Sequence, residues 1–114
     1  MNSSQASTAD FEKLDIRVGT VVEVAPFPEG RYSSHVLQID FGAELGVRKS
    51  LARLVPNYDN VDLVGRQVLC LINFAPRQIG KHQSTVLTLG VPDDQGNVAL
   101  LQPDREVPPG GRLY

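Results

Sequence analysis

From Ile16 the apolar residues fall into a two-residue rhythm. Ile16, Val18, Val22 and Val24 share one face, while Arg17, Gly19 and Glu23 share the other. That alternation predicts a long half-buried strand, with Gly19 marking a bulge or sharp bend. Pro26-Phe27-Pro28-Glu29-Gly30 predicts a turn. A second strand follows over Ser34–Phe41, with His35, Leu37, Ile39 and Phe41 on one side, and Gly42 to Gly46 forms the hairpin loop. A third strand spans Val47–Leu54. Its apolar positions are Val47, Leu51, Ala52 and Leu54, and its centre is polar and basic. Val55-Pro56 breaks the pattern. Asn57–Gly65 then reads as a short helix capped by Asn or Asp and stopped by Gly65. Gln67–Phe74 is apolar almost throughout, as in a strand buried on both faces. Ala75–Gln83 reads as a loop, Ser84–Gly90 as a strand, Val91–Asn97 as a turn, and Val98–Leu101 as a closing strand.

The ends are less patterned. Residues 1–9 are small and polar, which predicts a mobile N-terminal tail over about residues 1–10. Asp10 is placed to cap one helical turn, from which Phe11 and Leu14 would tuck onto the body. The segment Pro103–Tyr114, rich in Pro and Gly, is expected to be extended. Residues 11–114 therefore read as one domain. Three strands, a short helix, then two or three more strands suit an all-β, five-stranded oligonucleotide/oligosaccharide-binding (OB) barrel, which places its helix between strands three and four. A small sandwich is the alternative, but it usually has more strands and no helix at that point.

Composition narrows the function. The chain has 114 residues, ordinary proportions of apolar and charged residues, and a net charge of -2. No apolar run approaches the roughly 20 residues of a membrane-spanning helix, and residues 1–13 lack the basic start and apolar core of a signal peptide. Cys70 is the single cysteine, which excludes an internal disulfide and suits a reducing cytoplasm. Charge is distributed unevenly. Residues 1–45 carry a net -4, residues 46–81 a net +4, and residues 82–114 a net -2. The middle third is thus a basic segment in an acidic protein, able to attract an anion if its side chains share a face.

No catalytic constellation emerges. His35 and His82 lie in different segments without ligand-spaced neighbours, so neither a metal nor another cofactor is implied. Cys70 belongs to the most apolar strand, the setting of a core thiol. Asp93 and Asp94 sit in a turn sequence. Gly42-Ala43-Glu44-Leu45-Gly46 lacks the Lys-Ser/Thr of a phosphate loop. Asn73 either fixes the loop after its strand by side-chain bonds to backbone or presents a donor and an acceptor at a groove rim. Arg48, Lys49 and Ser50 on the third strand, with Arg77, Lys81 and Ser84 around the later loop, could converge on the ligand face of such a barrel. Aromatic stacking residues are sparse: there is no Trp, and Tyr32, Tyr58 and Tyr114 are far apart. That favours recognition of a folded RNA's shape, or of something other than nucleic acid, over generic single-strand binding.

These segments also carry a resemblance. Phe11-Glu12-Lys13-Leu14-Asp15-Ile16-Arg17-Val18-Gly19 resembles the entry to a tRNA-binding domain of the kind appended to some aminoacyl-tRNA synthetases. Arg48-Lys49-Ser50 and Asn73-Phe74-Ala75-Pro76-Arg77-Gln78-Ile79-Gly80, followed by Ser84, are similar to that family's two binding segments. Leu89-Gly90-Val91-Pro92-Asp93 and Leu101-Gln102-Pro103-Asp104-Arg105 bring the chain nearer to the free-standing, export-related CsaA-type chaperones of the same family. The resemblance implies an OB barrel that forms a homodimer and binds unfolded or pre-export polypeptides, with tRNA as a second partner. For tRNA it implies contacts from Arg48, Lys49, Ser50, Asn73, Arg77 and Ser84, to which Arg53 and Lys81 are added on their charge and position alone. The family often follows Lys-Ser with Ser-Ala-Gln; here Leu51-Ala52-Arg53 loses a hydroxyl and gains a charge. Thr85 stands where an acidic residue is common in the family.

Overall fold

The computed structural model describes residues 4–114. Its elements run α1 (Thr8–Glu12), β1 (Ile16–Pro26), β2 (His35–Asp40), β3 (Val47–Ala52), α2 (Asn60–Leu63) and β4 (Gln67–Leu71). They continue as β5 (Arg77–Ile79), β6 (His82–Ser84), β7 (Leu87–Thr88), β8 (Gly90–Pro92) and β9 (Val98–Leu100). Five strands form one antiparallel sheet in the order β3-β2-β1-β4-β7. The sheet rolls until β3 meets the segment around β7, where Ser50 and Thr88 share a 2.8 Å hydroxyl hydrogen bond. With α2 between β3 and β4, this is the five-stranded OB barrel expected.

Burial of alternating residues drives the closure. Val21, Leu37, Ile39, Phe41, Leu54, Leu63, Val68 and Cys70 are almost wholly covered and form one core. Each large member contributes about 1.5–3 kcal/mol relative to exposure. β2 follows its predicted period, with His35, Leu37, Ile39 and Phe41 all buried. The short α2 closes the barrel with Leu63. Its cap is Asp59, whose carboxylate accepts the Asp62 N–H at 3.1 Å. The predicted helix over 57–65 contracts to Asn60–Leu63.

β1 departs from the expected facing. Its first half pairs with β4 and its second half with β2, and an irregularity between Val21 and Glu23 shifts the register. The bulge is therefore at Val22 and not at Gly19. Gly19 and Val21 face the core, whereas Val22 is 47% exposed. Gly19 serves close approach: a Cβ there would lie 2.5 Å from Ile39 Cγ2 and 2.7 Å from Phe41 Cε1.

Opposite β4, the start of β1 is met by the C-terminal segment, which was expected to be extended but bends at Asp104–Arg105 and turns at Pro109–Gly110 before it pairs. Val18 N–H donates to Gly111 O, Gly110 N–H to Val18 O, and Leu113 N–H to Ile16 O. This strap buries Val18 and fits Gly110, at φ +99°, against the Phe41 carbonyl. Arg112 Nη2 donates to the carbonyls of Glu12 and Leu14, tying the two ends of the domain together.

Further boundaries differ from the sequence reading. The predicted third strand ends at Ala52 and the fourth at Leu71. The expected loop 75–83 contains the β5–β6 hairpin, whose Ile79 packs on Phe27, Val36 and Leu51 in a second apolar cluster. The predicted strand 84–90 is broken, leaving β7, and the closing strand pairs locally as β8–β9. Ser7 rather than Asp10 caps α1. Ser7 Oγ accepts the Asp10 N–H at 3.2 Å and the Asp10 carboxylate accepts the Ser7 N–H at 2.9 Å. Thr8–Asp10 of the predicted tail are helical, and residues 1–3 of it lie outside the described residues. Phe11 and Leu14 are each 41% exposed and do not tuck onto the body.

Candidate nucleic-acid and polypeptide interface

The alternation of β3 sends its basic triplet in two directions. Ser50 lies opposite Leu37, on the core side, and is fully buried. Its hydroxyl is engaged with Thr88. Lys49 lies opposite Gln38 on the outer face, and its Nζ donates to His82 Nδ1 at 3.3 Å. Arg48 Nε reaches Leu45 O at 3.4 Å. Arg48 and Lys49 line a groove of about 590 Å³ with Gln38, Val47, Ile72, Phe74, Pro76, Gln83 and Thr85. Phe74 is 51% exposed there. The apolar pattern extends the fourth strand to Phe74, but the strand stops at Leu71, and the Phe74 ring is free for the groove.

A second, more apolar cleft of about 660 Å³ lies along the other half of β3. Leu51, Ala52 and Leu54 line one side, Leu87, Val91, Val98 and Leu100 the other, and Arg31, Tyr32, Arg53 and Arg77 also line it. The β5–β6 hairpin contributes Arg77 and Ile79 to this cleft and Gln83 to the first groove, so it stands between them. Lys81 is exposed at the hairpin turn beside Gly80. Arg31 and Tyr32 were not among the expected site residues. Their signal was weak, since they occupy an irregular loop far in sequence from the basic segment.

Thus the expected residues do not form one patch. Arg48 and Lys49 share a groove, and Arg53 and Arg77 share the neighbouring cleft. The expectation that Ser50 and Ser84 face outward is corrected, because both are buried. Ser84 Oγ accepts the Leu51 N–H at 3.1 Å and donates to Val86 O at 3.3 Å. Asn73 is exposed, but both ends of its amide are engaged. Its Oδ1 accepts the Asp15 N–H at 3.1 Å, and its Nδ2 donates to Lys13 O at 2.7 Å. It fastens the entry of β1, not the loop that follows its own strand.

The remaining candidate groups are structural. Burial pushes the Cys70 thiol up to about 11, partly offset by its Thr88 hydrogen bond. Burial also lowers the His35 pKa, against smaller raising effects of Asn60 and Asp59. Asp93 is held below the usual carboxylate range, first by the Asn57 amide and then by backbone N–H groups of its turn. Among the described residues no group of three or more His, Cys, Asp or Glu could hold a metal ion.

Known proteins share both sequence and shape. The CsaA chaperone of Bacillus anthracis str. Ames is 39% identical, with a TM-score of 0.87, covering 97% of this chain and 100% of that one. The CsaA chaperone protein of Picrophilus torridus is 36% identical, with a TM-score of 0.88, covering 96% of this chain and 100% of that one. A methionine–tRNA ligase of Thermococcus onnurineus (strain NA1) is 39% identical over 104 residues. That match takes in 91% of this chain and 14% of the ligase, so the chain spans about one-seventh of that relative's length. Residues 16–112 match the tRNA binding domain family, and the chain belongs to that family.

Proposed function

We propose that this protein is a non-catalytic holder of unfolded or pre-export polypeptides, acting as a homodimer in the cytoplasm on the way to secretion. The observation that carries this reading is the open, largely aliphatic cleft between β3 and the β7–β9 region, large enough for several side chains of a non-native chain. Likeness to two CsaA chaperones over nearly the full chain supports it. The dimer is supported by the apolar surface where the chain ends meet. Phe11, Leu14 and Tyr114 are exposed there, and Phe11, Leu113 and Tyr114 help line a hollow of about 580 Å³. A second copy covering this surface would remove it from water. The test is dilution of a denatured client into buffer with and without stoichiometric protein, with the protein's mass followed by light scattering. Suppressed turbidity and twice the 12.4 kDa chain mass are expected. Equal turbidity in both arms would end the holder reading.

A second reading, binding of tRNA in trans, is favoured by a separate observation: Arg48, Lys49 and exposed Phe74 line one groove in a chain of the tRNA binding domain family. Lys and Arg supply phosphate contacts, and an exposed ring supplies a stacking surface. The two readings use neighbouring surfaces and are separable by mutation.

A further inference from the structure

The barrel closes unevenly. β3 has a ladder only to β2, and β7 only to β4. Across the seam one backbone bond, Thr85 N–H to Lys49 O at 2.9 Å, is joined by side-chain bonds from Ser50 to Thr88 and from the Leu51 N–H to Ser84 Oγ. Beyond those bonds the seam opens into the 660 Å³ cleft. Its base is covered and aliphatic, with Leu54 only 1% exposed, while Val91 on the far bank is 49% exposed.

Three arginines from three separate elements line this cleft. Arg31 comes from the β1–β2 loop, Arg53 follows β3, and Arg77 opens β5. None of their guanidinium groups has a hydrogen bond or ion pair to another described residue, and no Asp or Glu lines the cleft. Like charges gathered around an apolar floor without internal partners are matched by a ligand that brings carboxylates and an apolar side chain together.

We propose that this cleft selects polypeptide segments in which acidic residues flank a large apolar one. The proposal rests on the polypeptide-holding reading and adds the chemistry of the client to it. The apolar anchor occupies the aliphatic floor, and the flanking carboxylates meet Arg31, Arg53 and Arg77 at the rim. The lining favours peptide over nucleic acid. Tyr32 is its single aromatic, whereas single strands are held on successive aromatic platforms.

The test is fluorescence anisotropy with three labelled hexapeptides. One has Leu-Phe between pairs of acidic residues, one has Leu-Phe between pairs of lysines, and one has Gly-Ser between pairs of acidic residues. An unlabelled hexanucleotide serves as competitor. The acidic Leu-Phe peptide should bind at least tenfold tighter than the other two. Exposed Arg53 and Arg77 allow charge inversion without disturbing the core. The Arg53→Glu, Arg77→Glu variant should lose at least tenfold for the acidic peptide and gain for the lysine peptide. Equal binding of the acidic and lysine peptides, stronger competition by the hexanucleotide than by unlabelled acidic peptide, or an unchanged preference in the variant would overturn the proposal. If client aggregation is still suppressed, the failure belongs to the selectivity alone. If no client is held, it belongs to the underlying reading.

Discussion

A hydroxyl taken out of water needs partners inside the fold, and Ser84 has two, the Leu51 N–H and the Val86 carbonyl. Ser84→Ala leaves the Leu51 amide without that acceptor, at a cost of about 1–3 kcal/mol. The expected result is a lower urea midpoint with an unchanged slope, and unaltered tRNA affinity per folded molecule. A selective loss of tRNA affinity at wild-type stability would contradict the placement. Cys70 gives a chemical counterpart. Its covered thiol holds its proton up to about 11, whereas the unfolded chain releases it near 9. The folded state therefore binds the proton more tightly, and this contribution to stability is present below about 9 and lost as pH rises toward 11. Wild type should lose more urea resistance than Cys70→Val across that window. At pH 8, alkylation should be slow in the native protein and complete in denaturant. Rapid native labelling would show the thiol to be accessible.

At the scale of elements, the C-terminal strap is held on β1 by local geometry at Gly110. Gly46 and Gly110 both have positive φ, but a Cβ at Gly46 meets open space, whereas one at Gly110 lies 2.5 Å from the Phe41 carbonyl oxygen. Gly46→Ala should incur backbone strain only, and Gly110→Ala strain plus displacement of the strap. The second variant should melt lower, by about 4–8 °C for each additional kcal/mol. Equal melting temperatures would mean that the strap contributes little. The same comparison of elements explains which parts were legible in advance. β2 was readable because His35, Leu37, Ile39 and Phe41 keep one unbroken period. β1 was readable as a strand but not in its facing, because one extra residue at Val22 exchanges inside and outside. The β5–β6 hairpin was hidden because Arg77, Gln78, His82 and Gln83 are polar and Ile79 is its main apolar anchor. The basic segment announced a charged surface, but no local pattern revealed that β3 would divide it between two hollows, or that Ser50 would turn inward.

For the molecule as a whole, net charge is a poor guide to what it attracts, because a chain at -2 carries six of its eleven Lys and Arg, a net +4, in residues 46–81. If the Arg48–Lys49 groove holds RNA, affinity for bulk tRNA should fall steeply with salt. Arg48→Ala, Lys49→Ala should weaken it and reduce the slope of log affinity against log salt by roughly 0.7–0.9 per lost phosphate contact. The Arg53, Arg77 variant should change it less. Wild-type affinity and slope in the Arg48, Lys49 variant would remove RNA from that groove. The meeting of the two chain ends has a broader consequence. Arg112 holds the carbonyls of Glu12 and Leu14, while the Arg48–Lys49 groove is built from β3 and the 72–85 region. A module whose first and last elements are tied at one corner presents both to the same neighbour, so a protein spliced there would compete with a second copy for the surface of Phe11, Leu14 and Tyr114.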